Sequence, residues 1–364
     1  MKKIISCLII LAICAALMPV AYASPPPRPV TVDYDDLTKM IVAGNAAYQK
    51  ELQEIQKLEY TYDDLSQQRW DLYMDMDALP HAPETEASRK KLEDAADTVS
   101  ANMRIIRNRI NDQKKALDNR AALHAYPAQR MYMGHFILMI DSQLAAHELE
   151  RLERELANCR LKLSRGLSTQ TEVKNAEKNV DNQKDAIKAV RDAIDDNLTA
   201  LARYLGLTSQ IRLADMPQVD LDRIVGRNLK TDQADYIAAA SSTAEKVLQG
   251  ARDSFELNNT PLNRYNRDIA LADFEKAKRD AEADFPKVYE NLLNAYEDYM
   301  ESTLVIDAQE DYDLAEMQFE RGLISRNMLL NVEQMLEVTK SRYEQQRIQL
   351  CLLFREYEFN LIKP

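Results

Sequence analysis

Two stretches 156 residues apart share one hydrophobic register and one turn, and this duplication constrains the fold more than any other feature of the chain. The first reads LSRGLSTQTEVKNAEK (Leu163–Lys178) and the second FERGLISRNMLLNVEQ (Phe319–Gln334). A shift of 156 positions sets Val173, Ala176, Val180, Ile187, Ile194, Leu201 and Leu205 on Leu329, Val332, Leu336, Tyr343, Leu350, Tyr357 and Leu361. A polar slot agrees as well, Gln183 falling on Thr339. All of them occupy heptad positions, the pattern of a helix that buries one seam against another helix. The register holds without a gap for about 40 residues, which predicts an internal duplication. The chain has only seven glycines and places two of them in Arg-Gly-Leu turns. A tight reversal between antiparallel helices needs one residue at positive φ, where glycine meets no steric penalty. Ser168, Thr169 or Ser325 can then cap the helix that follows.

The rest of the composition agrees with helix. Ala, Leu, Glu, Lys, Gln and Arg are plentiful. With 29% charged residues and only short apolar runs, the mature chain is not a bundle of membrane spans. The net charge of −12 argues against nucleic acid and against an acidic membrane surface as partners. Residues 1–23 read as an export signal: Lys2 and Lys3, an apolar core over Ile4–Leu17, and Ala21-Tyr22-Ala23 as the small-x-small cleavage site. The mature protein is expected in the periplasm or cell envelope, beginning near Ser24. A lipoprotein anchor on Cys14 would need a small residue where Ile13 stands. Of the cysteines, Cys159 lies 7 residues before the first turn glycine and Cys351 lies 29 after the second. At about 1.5 Å per residue their thiols differ in height by tens of ångströms, so no disulfide within the chain is expected.

The expected fold is all-α: elongated antiparallel coiled-coil hairpins in two tandem repeats. An extended, proline-rich leader (24–32) precedes a first repeat (33–207), a linker (208–231) and a second repeat (232–364). In the first repeat, helices are expected over Asp33–Ala78, from Thr85 or Ser88 to Arg165, and over Thr169–Leu205, with Gly206 as the C-terminal stop. In the second they are expected over Asp232–Leu257, Pro261–Arg321 and from the second turn to the C-terminus. Pro127 and Pro286 fall inside the two long helices and mark either bends or breaks. At about 1.5 Å per residue the first repeat has a long helix of roughly 120 Å beside two of roughly 70 and 55 Å. The second has one of roughly 90 Å beside two of roughly 40 and 55 Å. In each case the short helices sum to the long one. The simplest geometry stacks them end to end beside it, twice, with both Arg-Gly-Leu turns at one pole. The seams left over need partners, and self-association is the natural solution.

This layout resembles the TolC-type outer-membrane efflux channels over nearly the whole mature chain. VDYDDLTKMIVAGNAAYQK (Val32–Lys50) is similar to the opening helix of that family, and RGLSTQTEV (Arg165–Val173) and FERGLISRNML (Phe319–Leu329) to its two periplasmic tip turns. LARYLGL (Leu201–Leu207) resembles the end of its first repeat. The resemblance implies a homotrimeric helical tunnel that passively conducts substrate from an inner-membrane transporter through a periplasmic adaptor, gated by splaying of the tip hairpins. It implies that Arg165, Gly166, Leu167 and Ser168, with Arg321, Gly322, Leu323 and Ser325, dock the adaptor, and that Glu172 stands at the tip constriction. Met328 and Asn331 depart from the acids that the family often has there, so no acidic ring is expected from the second repeat, and Asn327 and Asn331 line the opening as neutral residues. The family's membrane barrel comes from one β-hairpin per repeat, inserted here at Leu79–Pro83 and Asn258–Pro261. A membrane strand needs about 9–11 residues, and neither turn has room for two. The barrel is therefore expected to be absent or vestigial. An extracytoplasmic coiled-coil scaffold or spacer without transport is the competing reading.

Catalytic chemistry is not offered. His81, His124, His135 and His147 form no pair at helical ligand spacing, so no metal is expected, and no P-loop, nucleophile elbow or Cys–His arrangement is present. Neither a cofactor nor an enzymatic activity is expected. Asp195-Asp196 reads as a solvent face. Trp70, Tyr73, Met74 and Met76 read as packing near the distal turn, with a membrane-interface contact as the alternative.

Overall fold

The computed structural model describes residues 29–217 and 220–362. The export signal expected at 1–23 lies outside them. The architecture is all-α, with one minimal sheet. In chain order the elements are β1 (Val30–Val32), α1 (Leu37–Gly44), α2 (Ala46–Ala78), α3 (Glu86–Lys115), α4 (Leu117–Ser164) and α5 (Gln170–Tyr204). There follow β2 (Ile211–Leu213), α6 (Asp222–Val225), α7 (Leu229–Ala240), α8 (Ser242–Leu257), α9 (Pro261–Met300), α10 (Leu304–Glu320) and α11 (Arg326–Asn360).

The heptad register is the packing register. Every one of the paired positions, from Val173 and Leu329 to Leu205 and Leu361, is buried or half-buried. The polar slot has a partner: Gln183 Nε2 donates to the Ala145 carbonyl at 2.9 Å, tying α5 to α4. Two buried clusters hold the middle of the molecule. One gathers Leu37, Ile41, Tyr132, Leu201, Leu205 and Ile348, and the other Phe285, Leu292, Leu350, Phe354 and Tyr357.

The stacked geometry follows from two contacts. Asn45, at the start of α2, donates through Nδ2 to the Tyr204 carbonyl at the end of α5, at 2.7 Å. In the second repeat the Tyr357 hydroxyl, near the end of α11, donates to Asp232 Oδ2, in the first turn of α7, at 2.7 Å. Each repeat thus sets one short helix on the end of another, alongside its long partner.

Several boundaries depart from the sequence reading. The leader is not merely extended: β1 pairs in parallel with β2, Val30 to Ile211 and Val32 to Leu213, inside the stretch read as linker. β-branched and aliphatic residues at Val32, Ile211 and Leu213 point inward and are buried. The linker also contains α6. The first helix is interrupted at Asn45, and the helix of the second repeat's start at Ser241. Pro127 and Pro286 break nothing, since α4 and α9 run through them. The long helices are interrupted instead at Ala116 and over 301–303. At the second site the Thr303 hydroxyl donates to Asp307, and Ser and Thr side chains compete locally with helical bonding. Nothing in the local sequence explains the first.

Both distal turns are short. The chain passes from α2 to α3 through 79–85 and from α8 to α9 through 258–260, with no strand in either. Thr85 is the residue before α3, yet its hydroxyl donates to Pro80 and Ala82 carbonyls and does not cap the helix. Trp70, Tyr73 and Met74 are not packed within the chain: they are 61%, 39% and 52% exposed. Met76 is half-buried, so within the single chain the packing reading fails for Trp70, Tyr73 and Met74 and not for Met76. Cys159 and Cys351 are free thiols.

Candidate functional site: the paired glycine tips

The two Arg-Gly-Leu turns have one geometry. Gly166 and Gly322 sit at φ +73° and +69°. The Gly166 N–H donates to the Leu163 carbonyl and the Leu167 N–H to Lys162, at 2.9 and 2.8 Å. The Gly322 N–H donates to Phe319 and the Leu323 N–H to Gln318, at the same two distances. These are Schellman caps, which satisfy the last free carbonyls of a helix with amides from the turn. A third copy ends α5, where Gly206 is at φ +74° and the Gly206 and Leu207 amides bond Arg203 and Ala202. The same cap at Gly206 does different work. A Cβ there would lie 2.1 Å from the Gly44 carbonyl oxygen, whereas nothing lies within 4 Å of one at Gly166 or Gly322. The tip glycines serve the turn alone; Gly206 and Gly44 also let two backbones touch.

The helices leaving the tips are capped unequally. Thr169 Oγ1 accepts from the Glu172 amide at 3.2 Å, and Glu172 Oε2 accepts from the Thr169 amide at 2.8 Å and from the Ser168 hydroxyl at 2.6 Å. This is a full capping box. The Ser168 hydroxyl, then the Thr169 amide, hold the Glu172 carboxyl below its usual range. At the second tip the Ser325 hydroxyl accepts from the Met328 amide at 3.3 Å, and Met328 has no carboxylate to return the bond.

Both tips lie at one pole. Arg154 bonds Gln334, and Gln334 in turn bonds the His147 carbonyl, joining α4 to α11. Arg154 stands 12 residues before Gly166 and Gln334 stands 12 after Gly322, so the glycines share a height. Farther from the tips Gln345 donates to Asp141 at 3.1 Å, keeping the same register. What the pole presents to solvent is Leu167 and Leu323, 74% and 70% exposed, with Arg165 and Arg321 exposed beside them. Large apolar side chains this open, at the same place in both repeats, form a matched pair of knobs.

The residues expected at a constriction are divided. Glu172 has its carboxylate engaged in the capping box. Asn327 and Asn331 are exposed on the first turns of α11, and Asn331 lines a groove between α4 and α11 with Leu144, Glu148, Arg151 and Met335. Sequence reasoning missed the cross-repeat bond of Arg154 and Gln334, whose partners are 180 residues apart. It also missed the junction at Asp232, which is 5% exposed and bonded by Arg227 at 2.8 and 3.1 Å besides Tyr357. Burial, then the Asp232 bond, push the Tyr357 phenol well up from its ordinary value. Among the described residues no group of three or more His, Cys, Asp or Glu is placed to hold a metal, and no helix is long and apolar enough to cross a membrane.

The doubled, end-to-end stacked helical hairpins give this chain the helical fold of TolC-type channels, without strands at the distal turns. No protein-family model matches the sequence, and no curated protein is similar to it. Among solved structures the fold matches the outer-membrane channel OprN, at 11% identity and a TM-score of 0.51, over 91% of this chain and 90% of that one. A membrane protein from Pseudomonas aeruginosa (12% identity, TM-score 0.48, 90% and 92% covered) is also similar. So is the Campylobacter jejuni CmeC outer membrane channel (9% identity, TM-score 0.48, 90% and 85% covered).

Proposed function

We propose that this chain is a TolC-like component of an extracytoplasmic export system, a non-enzymatic protein whose copies form a helical tunnel, as a homotrimer in the cell envelope. The repeats 33–207 and 232–364 act as its two structural units, joined by 208–231. The observation that carries the reading is the matched pole: two identical glycine caps at one height, each followed by an exposed leucine. The knobs Leu167 and Leu323, with Arg165 and Arg321, dock the hairpin of a periplasmic adaptor that links the tunnel to an inner-membrane transporter. Conduction is passive. The Schellman caps make each tip hairpin a stiff unit, so an opening displaces whole hairpins. Any opening that parts α4 from α11 breaks the bonds of Gln334 to Arg154 and to the His147 carbonyl.

The test is the mass and shape of the purified mature chain. Light scattering at three chain masses, with rings in micrographs, is the expected outcome; a compact monomer refutes the tunnel. Leu167→Glu with Leu323→Glu is expected to abolish capture of the adaptor while leaving the assembly intact. A second reading, a coiled-coil spacer without a conducted substrate, is favoured by the distal turns, which hold 79–85 and 258–260 and no strand. It predicts the same assembly without substrate flux when the chain is supplied to a transport-deficient cell.

A further inference from the structure

Where β2 ends, a cleft of about 330 Å³ lies between α4, α11 and the segment that joins the repeats. His135 and Met139 line it from α4, Met216 from the joining segment and Glu344 from α11, with Phe136 and Ile348 among its apolar walls. Four residues separate His135 from Met139, so they share one face of α4. Tyr132 belongs to that face as well, and its hydroxyl donates to the Asp215 carbonyl at 3.0 Å. The bond pins the residue before Met216 one turn of α4 from His135. From the other side Arg347 Nη2 donates to Met216 Sδ at 3.1 Å. One imidazole and two thioethers, from two separate segments, are thereby gathered at one cleft.

The imidazole is short of a partner. Among the described residues His135 Nδ1 is buried without a hydrogen bond, a condition that is rare for polar atoms in folded proteins. Burial pushes the pKa of the ring down, which keeps it neutral, the form that ligates metals. Glu344, the carboxylate on this cleft, is already held by Arg347 through bonds of 2.6, 2.9 and 3.1 Å. The pair compensates the guanidinium charge and leaves the soft donors as the free ones. Ca(II) and Mg(II) are bound through several oxygens, and Zn(II) through thiolate, imidazole and carboxylate. Thioethers with an imidazole against an apolar wall are instead a donor set for Cu(I) and its analogue Ag(I).

We propose that this cleft binds a soft monovalent cation, Cu(I) or Ag(I), through His135, Met139 and Met216. The spacing of the four histidines argues against a site built from histidine alone; here two thioethers complete it. Met139 is exposed, and its three rotatable bonds let the sulfur close over the ion. The Met216 sulfur offers its second lone pair while Arg347 holds the first. The bound ion ties α4 of the first repeat to the segment that leads into the second. The site stands on this cleft alone and holds for a single chain as for an assembly.

The test uses the purified mature chain carrying Cys159→Ser and Cys351→Ala, because free thiols also take these ions. If that background loses helix by circular dichroism, Cys159→Ser alone, with the buried Cys351 kept, carries the same comparison. The probe is silver(I) nitrate in chloride-free buffer, counted by dialysis and elemental analysis of the retained metal, with Cu(I) under reductant as the second ion. One retained equivalent per chain is expected, together with a raised melting midpoint. Met139→Leu with Met216→Leu preserves side-chain volume and should leave the metal-free midpoint in place. It should weaken retention at least about 100-fold, the upper end of what losing a mere outer partner of a ligand costs, and abolish the metal-induced rise. Met74→Leu with Met335→Leu, at exposed methionines elsewhere, should change neither quantity. Excess Zn(II) should not displace the silver. Absence of a stoichiometric equivalent, equal losses in the two pairs of methionine variants, or displacement by Zn(II) overturns the site.

Discussion

Replacing glycine by alanine at the three capped helix ends separates two physical effects that share one motif. Gly166, Gly206 and Gly322 all sit near φ +70°, within the range +69° to +74°. Each substitution therefore meets the left-handed penalty for a Cβ, about 1–2 kcal/mol. At Gly166 and Gly322 nothing else opposes the methyl group, which points into open space. At Gly206 the Cβ would lie 2.1 Å from the Gly44 carbonyl oxygen and 2.8 Å from its carbon, backbone atoms that no rotamer change can move. Overpacking of that kind adds about 1–3 kcal/mol. Gly206→Ala should thus destabilise by about 2–5 kcal/mol, against about 1–2 kcal/mol for either tip. Urea unfolding followed by circular dichroism measures the difference, with the Gly206→Ala midpoint displaced at least about twice as far. Gly44→Ala, whose Cβ would meet the Leu205 oxygen at 2.5 Å, carries the overpacking part alone, about 1–3 kcal/mol, because it is not at positive φ. Three equal displacements would show that the two backbones do not touch at this junction.

Three other expectations test the elements that position the tips. Asn45→Ala loses both the cap on the Tyr48 amide at 3.0 Å and the bond to Tyr204, and should lower stability by about 1–3 kcal/mol in the same assay. Tyr357→Phe leaves buried Asp232 with Arg227 alone and should lower it by about 1.5–3 kcal/mol, with Arg227→Met in addition producing less than the sum of the two single effects. At the first tip, the Glu172 carboxyl is held below its ordinary value of 4.5, so its support of the turn is complete above that pH and fades as pH falls through the lowered value. The protection factor of the Thr169 amide, its exchange rate relative to the unfolded chain at the same pH, should fall there; Glu172→Gln should remove that fall, and the Met328 amide capped by Ser325 at the other tip should keep a constant protection factor.

The duplication, the helix type and the pole shared by the two turns were legible because each is a one-dimensional pattern. Heptad spacing fixes which face of α5 and α11 is buried, and the repeated Arg-Gly-Leu marks where a helix can reverse through a positive φ without steric penalty. The polar slot at Gln183 was visible as a position, although its partner, the Ala145 carbonyl, was not. Thr169 was legible as one of two candidate caps, but that Glu172 returns the bond and closes a box was not, since Glu172 reads as a constriction residue. The tip residues were readable as turns; their exposure at one height needed the packing of α4 on α11.

Tertiary contacts decided the rest, because they join residues that no local pattern connects. The interruption at Asn45 follows from its bond to Tyr204, 159 residues away. β1 exists only because β2 lies beside it, and three residues without a partner carry no strand signal of their own. Pro127 and Pro286 were ambiguous since a long helix packed along its length tolerates a lost hydrogen bond that a free one would not. Trp70 and its neighbours looked like core because composition records apolarity and not what lies opposite. Sequence by itself determined the rods and their glycine turns; only the folded chain decided where the rods are interrupted and which lie side by side, because both depend on contacts between distant segments.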